Sequence, residues 1–217
     1  MAQPVHHPFF ARVYERIAIV GERRGTTEHR RTLLAGCEGR VIEVGAGSGT
    51  NFAHYPPSVS EVLAVEPERY LREQARRASV TAPVPVSVVD ANAELLPDTG
   101  EPFDVGVVSL VLCSVPDQQR ALAQLFKAIR PGGELRFYEH VVAHAPRQAR
   151  MQRLADATFW PRAAGGCHLA RDTMSAIEQA GFEVQACERF AFSPAPLTPP
   201  TPHVLGTAVR SAATAAP

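Results

Sequence analysis

The sequence has no long apolar run and no excess of charge of either sign. No stretch approaches the roughly 18 consecutive apolar residues of a membrane span, so we expect no stable membrane anchor. The 22 basic and 22 acidic residues balance, which gives no reason to expect nucleic acid or an acidic membrane as a partner. The N-terminus lacks the charged and apolar regions of a signal peptide, and the expected location is the cytoplasm.

Cysteine is also scarce. The chain contains four cysteines, and none of them belongs to a C-x-x-C pair. Their spacing therefore predicts neither a disulfide framework nor a metal site. The length of 217 residues, 45% of them hydrophobic, suffices to bury the core of one α/β domain with a short appendage. The four cysteines are Cys37, Cys113, Cys167 and Cys187.

A glycine-rich turn directly follows an apolar segment that is typical of a buried strand. Residues Val41–Asn51 read V-I-E-V-G-A-G-S-G-T-N, and the glycines at Gly45, Gly47 and Gly49 allow a sharp turn and close approach of a ligand. A dinucleotide-binding loop reads G-x-G-x-x-G and holds an anionic pyrophosphate. Here the third glycine comes one position early, and Glu43 would repel a pyrophosphate. The turn instead suits a ligand that carries an ammonium and a sulfonium, as S-adenosylmethionine does.

Acidic residues end the next two predicted strands. Glu66 comes directly after Val62–Val65 and lies 17 residues after Gly49, the last glycine of the turn. A carboxylate at this position can accept both hydroxyls of a ribose. Asp90 and Ala91 follow Val84–Val89 and are placed to bind an adenine ring. We expect Asn51, beside the glycine turn, and Ser109, at the end of the fourth strand, to complete the cofactor site.

These features resemble the class I S-adenosylmethionine-dependent methyltransferases, whose first motif is an acidic residue followed by G-x-G-x-G. Within that class, residues 36–210 are similar to the methyltransferase-like 7 thiol S-methyltransferases and their bacterial relatives. The similarity implies S-adenosylmethionine as the cofactor and a small thiol as the acceptor. The animal members carry a membrane anchor, which we do not expect here. Besides the glycine turn, the matching segments are Asn51–Pro57 (N-F-A-H-Y-P-P), Leu110–Val115 (L-V-L-C-S-V), Arg130–Gly133 (R-P-G-G), Glu139–Val141 (E-H-V), Gly166 and Cys167 followed by Leu169, and Pro202–Gly206 (P-H-V-L-G).

The alternation of apolar strands with helical segments predicts an α/β fold. Residues Phe103–Cys113 are almost continuously apolar, as in a parallel strand covered on both faces. The resemblance implies a seven-stranded Rossmann-like class I methyltransferase sheet whose strands are mostly parallel, with an antiparallel last strand. We expect three parts, which are an N-terminal helical lid segment over residues 1–35, the methyltransferase domain over 36–210, and a disordered tail over 211–217.

Two histidines are the candidates for the chemistry that the resemblance implies, which is direct displacement of a methyl group by the acceptor. A free thiol has a pKa of about 8.5, so a nearby imidazole needs to shift it only modestly to produce the thiolate. His140, at the end of the fifth strand, and His168, after a glycine pair, are candidate bases or thiolate stabilisers. Either histidine could instead be a structural residue. The predicted acceptor pocket is formed by Phe9, Phe10 and Tyr14 of the lid, with Cys113 and Trp160.

Three questions stay open at this point. The acceptor atom could be oxygen, nitrogen or carbon instead of sulfur, and the chain could be an S-adenosylmethionine-binding regulatory module without turnover. The oligomeric state is undetermined.

The arginines of the N-terminal segment, among them Arg30, are predicted to lie on a solvated helix face.

Overall fold

The computed structural model describes residues 20–193 and 199–211. A kinked helical turn, Glu22–Thr26, contains Gly25 at φ 119° and leads into the first α-helix. The helices are α1 (Thr27–Leu34), α2 (Arg69–Ser79), α3 (Gln118–Ala128), α4 (Pro146–Thr158), α5 (Trp160–Ala163) and α6 (Thr173–Gln179). The strands are β1 (Gly39–Val44), β2 (Val59–Val65), β3 (Val86–Val89), β4 (Phe103–Ser109), β5 (Ile129–His140), β6 (Phe182–Phe192) and β7 (Thr201–Arg210).

The seven strands form one sheet in the order β3-β2-β1-β4-β5-β7-β6. Strands β1 to β5 pair in parallel, and β7 runs antiparallel to both of its neighbours. The predicted fold class is therefore confirmed. The chain order reverses between β1 and β4, and open α/β sheets bind ligands at the carboxyl ends of their strands at such a switch point. The glycine turn lies at this position.

Both faces of the central strands are buried, which explains why these strands read as continuous apolar runs. Along β1, Val41 packs into one core cluster and Ile42 into the other, on the opposite face of the sheet. In β4, Val107 and Val108 divide between the two clusters in the same way. Burial of each such side chain stabilises the fold by about 1.5–3 kcal/mol.

Acidic side chains that accept a backbone N–H cap the N-termini of α2 and α3. Glu68 caps α2 by accepting from the N–H of Leu71, and Asp117 caps α3 by accepting from the N–H of Arg120. Helix α2 connects the parallel strands β2 and β3, and α3 connects the parallel strands β4 and β5. Within the described ranges, no helix is long and apolar enough to cross a membrane.

After the glycine turn the chain forms a single 3-10 turn, Phe52–His54. One predicted boundary at this edge of the sheet is wrong. The expected strand Phe103–Cys113 ends at Ser109, because Leu110 has a φ of 60° and turns the chain out of the sheet. The apolar residues beyond Ser109 therefore form a loop, in which Leu112 and Cys113 are buried. The predicted lid at residues 1–19 and the tail at 212–217 lie outside the described residues.

Candidate active site

The glycine turn depends on glycine both for its backbone conformation and for its packing. Gly45, Gly47 and Gly49 have φ values of 71°, 57° and 82°, in the left-handed region that side chains disfavour. A Cβ on Gly45 would run into the side chain of Val111, and one on Gly49 would lie 2.7 Å from the ring of Phe52. The turn therefore brings its backbone close to the loop after β4.

Glu66 ends β2 directly beside the glycine turn. Its Oε2 accepts from the N–H of Gly47 at 2.8 Å, and its Oε1 accepts from the N–H of Glu68 at 2.9 Å. Burial raises the pKa of the Glu66 carboxyl to about 7, although the two backbone hydrogen bonds lower it. Each carboxylate oxygen keeps a further acceptor position. This geometry suits the predicted ribose hydroxyls.

Arg72 joins the ends of β2 and β3 and is a residue that the sequence did not single out. Its Nη1 donates to the carbonyl oxygen of Glu66 at 2.9 Å, and its Nη2 contacts Asp90 Oδ2 at 2.8 Å. Arg72 is buried, whereas the Asp90 side chain is 66% exposed. The guanidinium thus holds Asp90 at the same crevice as Glu66. Ala91, which follows it, is half-buried against the core.

Glu43 lies beneath the glycine turn and is 2% exposed. Tyr55 donates its hydroxyl to Glu43 Oε2 at 2.7 Å, and Asn51 donates its amide Nδ2 to Oε1 at 2.8 Å. Burial raises the pKa of Glu43 to about 7, while Tyr55, Asn51 and Arg30 each lower it. Glu43 therefore binds side chains that shape the turn, and Tyr55 joins the site as a residue missed from sequence.

Arg30 corrects the prediction of a solvated helix face, since it is only 5% exposed. Its Nη1 donates to Asn51 Oδ1 at 2.8 Å and to Ser109 Oγ at 3.0 Å, and its Nε pairs with Glu22 at 2.7 Å. The helical pattern of α1 could not show which face meets the sheet edge. The guanidinium lies beside the glycine turn, where it suits a carboxylate ligand.

The pocket among these groups is nearly filled. Its free volume is about 10 Å³, which is room for roughly one water molecule. A ligand group larger than a water molecule therefore fits beside Arg30 and Asn51 only if the surrounding side chains move. The lining residues are Arg30, Glu43, Gly45, Ala46, Gly47, Ser48, Thr50, Asn51 and Ser109.

Glu139 holds the loop that follows β4. Its Oε1 accepts from the N–H groups of Val111 at 2.9 Å and Leu112 at 3.0 Å, and its Oε2 accepts from Cys113 at 3.3 Å. A left-handed conformation of a non-glycine residue, as in Leu110, costs roughly 1–2 kcal/mol, and such strain persists only where the surroundings impose it. Glu139 is fully buried and supplies that constraint.

Three residues that are distant in sequence meet beyond this loop, and we call them the Cys-His cluster: Cys113, His140 and Cys167. The two Sγ atoms and one imidazole nitrogen all lie within 4.8 Å of one another. His140 Nδ1 is 3.8 Å from Cys167 Sγ. A hydrogen bond from Cys113 lowers the pKa of the Cys167 thiol, although burial raises it. The structure thus joins two predicted site residues, Cys113 and His140, with Cys167, which the sequence analysis did not place in the site.

The other predicted acceptor residues lie around the Cys-His cluster or outside the described residues. The backbone N–H of His168 donates to the carbonyl of Cys113 at 2.8 Å, but its imidazole Nδ1 lies 4.0 Å from Asp156 Oδ2. Trp160 begins α5 and is half-buried. The lid residues Phe9, Phe10 and Tyr14 lie outside the described residues, so their role stays a prediction.

Comparison with known proteins agrees with this fold. The family model described as a methyltransferase domain matches residues 42–137, which run from β1 into β5. The YcgJ protein from Bacillus subtilis superposes with a TM-score of 0.68 at 14% identity, over 85% of this chain and 99% of that one. The N-methyltransferase NodS from Bradyrhizobium japonicum, solved with S-adenosyl-L-homocysteine, gives a TM-score of 0.63 at 18% identity, over 88% and 87% of the two chains. Fold and site together define an S-adenosylmethionine-dependent methyltransferase.

A curated relative narrows the class to a family. The thiol S-methyltransferase TMT1B of Rattus norvegicus is 35% identical over 179 residues, which cover 78% of this chain and 70% of TMT1B. The chain therefore belongs to the family of this thiol S-methyltransferase. Its cofactor is S-adenosylmethionine, which the glycine turn, the paired acceptors of Glu66 and the buried guanidinium of Arg30 fit by chemistry.

Proposed function

We propose that this enzyme S-methylates a small-molecule thiol. The observation that carries the proposal is the extent of the similarity to TMT1B. It covers 78% of this chain, whereas the general methyltransferase domain covers residues 42–137 only. The similarity therefore includes segments outside the cofactor-binding half, and acceptor-binding residues belong to such segments in an α/β enzyme.

The cofactor-binding residues divide by the part of the ligand that they face. S-adenosylmethionine, when bound, supplies a methyl group on a sulfonium. We propose that Glu66 accepts the two ribose hydroxyls and that Asp90 and Ala91 bind the adenine. Arg30 pairs with the carboxylate of the methionine moiety, and Ser109 borders that moiety at the end of β4. The ribose, the adenine and the carboxylate of the cofactor thus each have a proposed partner at the same sheet edge.

The acceptor side is buried and rich in sulfur. Cys113 and His140 are 3% and 6% exposed, so little water reaches this part of the site. A sulfonium and a thiolate neutralise each other as the methyl group moves, and a water-poor pocket that aligns them favours the reaction. His140 is the proposed thiolate-stabilising group because it lies in the Cys-His cluster, whereas the imidazole of His168 lies beside Asp156.

The N-terminal segment is the proposed lid. Its described part places Arg30 in hydrogen-bond contact with Asn51 and Ser109 of the cofactor pocket. A lid that carries a cofactor ligand would be held closed more firmly when the cofactor is bound, which would exclude water from the methyl transfer.

Transfer of isotope from methyl-labelled cofactor to a panel of thiols, phenols and amines tests the proposal. We expect label in the thiols. Labelling of phenols or amines alone would replace the thiol by an oxygen or nitrogen acceptor, and binding of cofactor without any transfer would favour a regulatory module. His140→Ala should leave cofactor binding by calorimetry unchanged and lower the rate of transfer by about 10²-fold or more.

A further inference from the structure

The Cys-His cluster has the composition and dimensions of a metal site. Zinc binds cysteine sulfur at about 2.3 Å and histidine nitrogen at about 2.0–2.1 Å with tetrahedral geometry. Those bond lengths put two ligand sulfurs about 3.8 Å apart and a sulfur and a nitrogen about 3.6 Å apart. The Cys167 Sγ to His140 Nδ1 distance is 3.8 Å, and all three ligand atoms lie within 4.8 Å. Displacements of about 1 Å or less would complete the geometry.

The three ligands come from different elements, and hydrogen bonds fix the backbone of each. Cys113 donates its N–H to Glu139 at 3.3 Å and accepts at its carbonyl from the N–H of His168 at 2.8 Å. Cys167 immediately precedes His168 and donates its N–H to Ala164 at 3.1 Å. His140 is the last residue of β5 and pairs with β7. The site is therefore organised before a metal arrives, which favours binding.

The neighbouring carboxylates have other partners, so the cluster supplies three protein ligands. Glu139 accepts three loop N–H groups. Asp156 accepts from the N–H groups of Leu169 at 2.7 Å and Ala170 at 2.8 Å. Zinc sites with three protein ligands keep their fourth position for water or substrate, and two thiolates with one imidazole are ligands that zinc prefers.

The position of the cluster points to the acceptor. Strand β4 lies between β1, which leads into the glycine turn, and β5, which ends in His140. Neighbouring strands are about 4.8 Å apart, so the turn and His140 are separated by roughly 10 Å along one sheet edge. The cofactor and a group bound at the cluster can therefore meet above β4.

We propose that Cys113, His140 and Cys167 bind a zinc ion whose fourth position takes the acceptor thiol. This inference rests on the proposed thiol methylation and names how the acceptor is held. On binding, the acceptor loses its thiol proton to solvent. Its sulfur then forms a bond to the methyl carbon while the carbon–sulfonium bond breaks, and that electron pair stays on the cofactor sulfur. The products are a methyl thioether, S-adenosylhomocysteine and one proton, and the thioether leaves because it is a weaker zinc ligand than a thiolate.

Metal binding by the full-length protein is tested first without turnover. Metal-stripped protein under reducing conditions is titrated with Zn²⁺, and bound metal is measured by plasma mass spectrometry. We expect about one zinc ion per chain. Substitution with Co²⁺ should give the thiolate-to-cobalt absorption band of a two-cysteine site. Absence of that band, or a Cys113–Cys167 disulfide that excludes the metal under reducing conditions, would overturn the inference.

Two cysteine variants locate the metal. Cys167→Ser should bind zinc about 10- to 100-fold more weakly and lose the cobalt band, whereas Cys187→Ser, at an exposed position on β6, should match the wild type. Equal zinc affinities of the two variants would contradict the assignment. The cobalt measurement uses wild-type protein, so the test stands even where Cys167→Ser does not fold.

The acceptor position is tested by adding a small thiol such as benzyl mercaptan to the cobalt protein. The thiol should shift the absorption band, and the matched alcohol should not. If metal-free enzyme methylates thiols at the wild-type rate, the zinc inference fails and the proposed function stands. If thiols shift the band but only phenols or amines receive the methyl group, the proposed function fails instead.

Discussion

At the scale of single residues, Glu66 connects pH to cofactor binding. Burial raises its pKa to about 7, with Glu68 raising it further and Arg72 lowering it. If the ionised carboxylate accepts the two ribose hydroxyls, cofactor affinity should rise as the pH increases from about 6 to about 8 and Glu66 loses its proton. Calorimetry with S-adenosylhomocysteine measures this rise. Glu66→Gln should bind at least about tenfold more weakly at pH 8 and keep only the pH dependence that comes from Glu43, whose pKa is also about 7.

The control for this experiment lies on the same strand. Glu61→Ala removes an exposed carboxylate of β2 that pairs with Arg40, and the variant should bind S-adenosylhomocysteine as the wild type does at every pH. A Glu66→Gln variant with the full wild-type pH profile would show that Glu66 is not the ribose ligand.

Arg30 gives a second prediction at the residue scale. If its guanidinium pairs with the cofactor carboxylate, Arg30→Ala should weaken S-adenosylhomocysteine binding about 10- to 100-fold, as expected for a charge-assisted hydrogen bond. Binding of 5′-methylthioadenosine, which lacks the amino-acid moiety, should change little. Arg31→Ala is the matched control because Arg31 is exposed and pairs with the exposed Glu28. Equal losses for both ligands would refute the carboxylate contact.

At the scale of elements, the glycine turn and the loop after β4 are packed as one unit. Gly45→Ala should destabilise the protein by about 3 kcal/mol or more, because the new Cβ is strained at a φ of 71° and also meets Val111. Gly100→Ala isolates the conformational part of this cost, since Gly100 has a φ of 75° and an added Cβ would meet no described residue within 4 Å apart from its two chain neighbours. That control should lose about 1 kcal/mol. Chemical denaturation measures both variants, and equal losses would show that contact with Val111 is unimportant.

The sequence patterns predicted the type of an element better than the residue at which it ends. The apolar strand through Phe103 was correct in type, but the same apolar pattern continued past Ser109 into a loop. A buried loop and a buried strand both need apolar side chains, so composition cannot distinguish them. The stop is set by the left-handed Leu110 and by Glu139, which lies 28 residues from Val111. Such a contact leaves no local signal.

At the scale of the whole molecule, the nearly filled cofactor pocket predicts a linked change in the N-terminal helix. If Arg30 pairs with the carboxylate of the cofactor, S-adenosylhomocysteine must displace the present contacts of Arg30 and then offer this guanidinium a new partner. We expect amide exchange in Glu22–Leu34 to slow on binding, since the bound ligand ties α1 to the sheet edge. At about 100 times the dissociation constant, the ligand should also stabilise the protein by about 2.7 kcal/mol. Exchange that slows elsewhere but not in this segment would contradict the proposed lid.

The sequence by itself determined the α/β class, the order of the elements and the cofactor. Strand periodicity, three glycines and the acidic residues Glu43, Glu66 and Asp90 are local signals, each readable within a few residues because backbone conformation and strand burial act locally. The tertiary structure alone decided that Arg30 is buried and that Cys113, His140 and Cys167 meet. Cys113 and His140 are 27 residues apart in the chain, and so are His140 and Cys167. Only the pairing of β4 with β5 and the turn before α6 bring the three residues together.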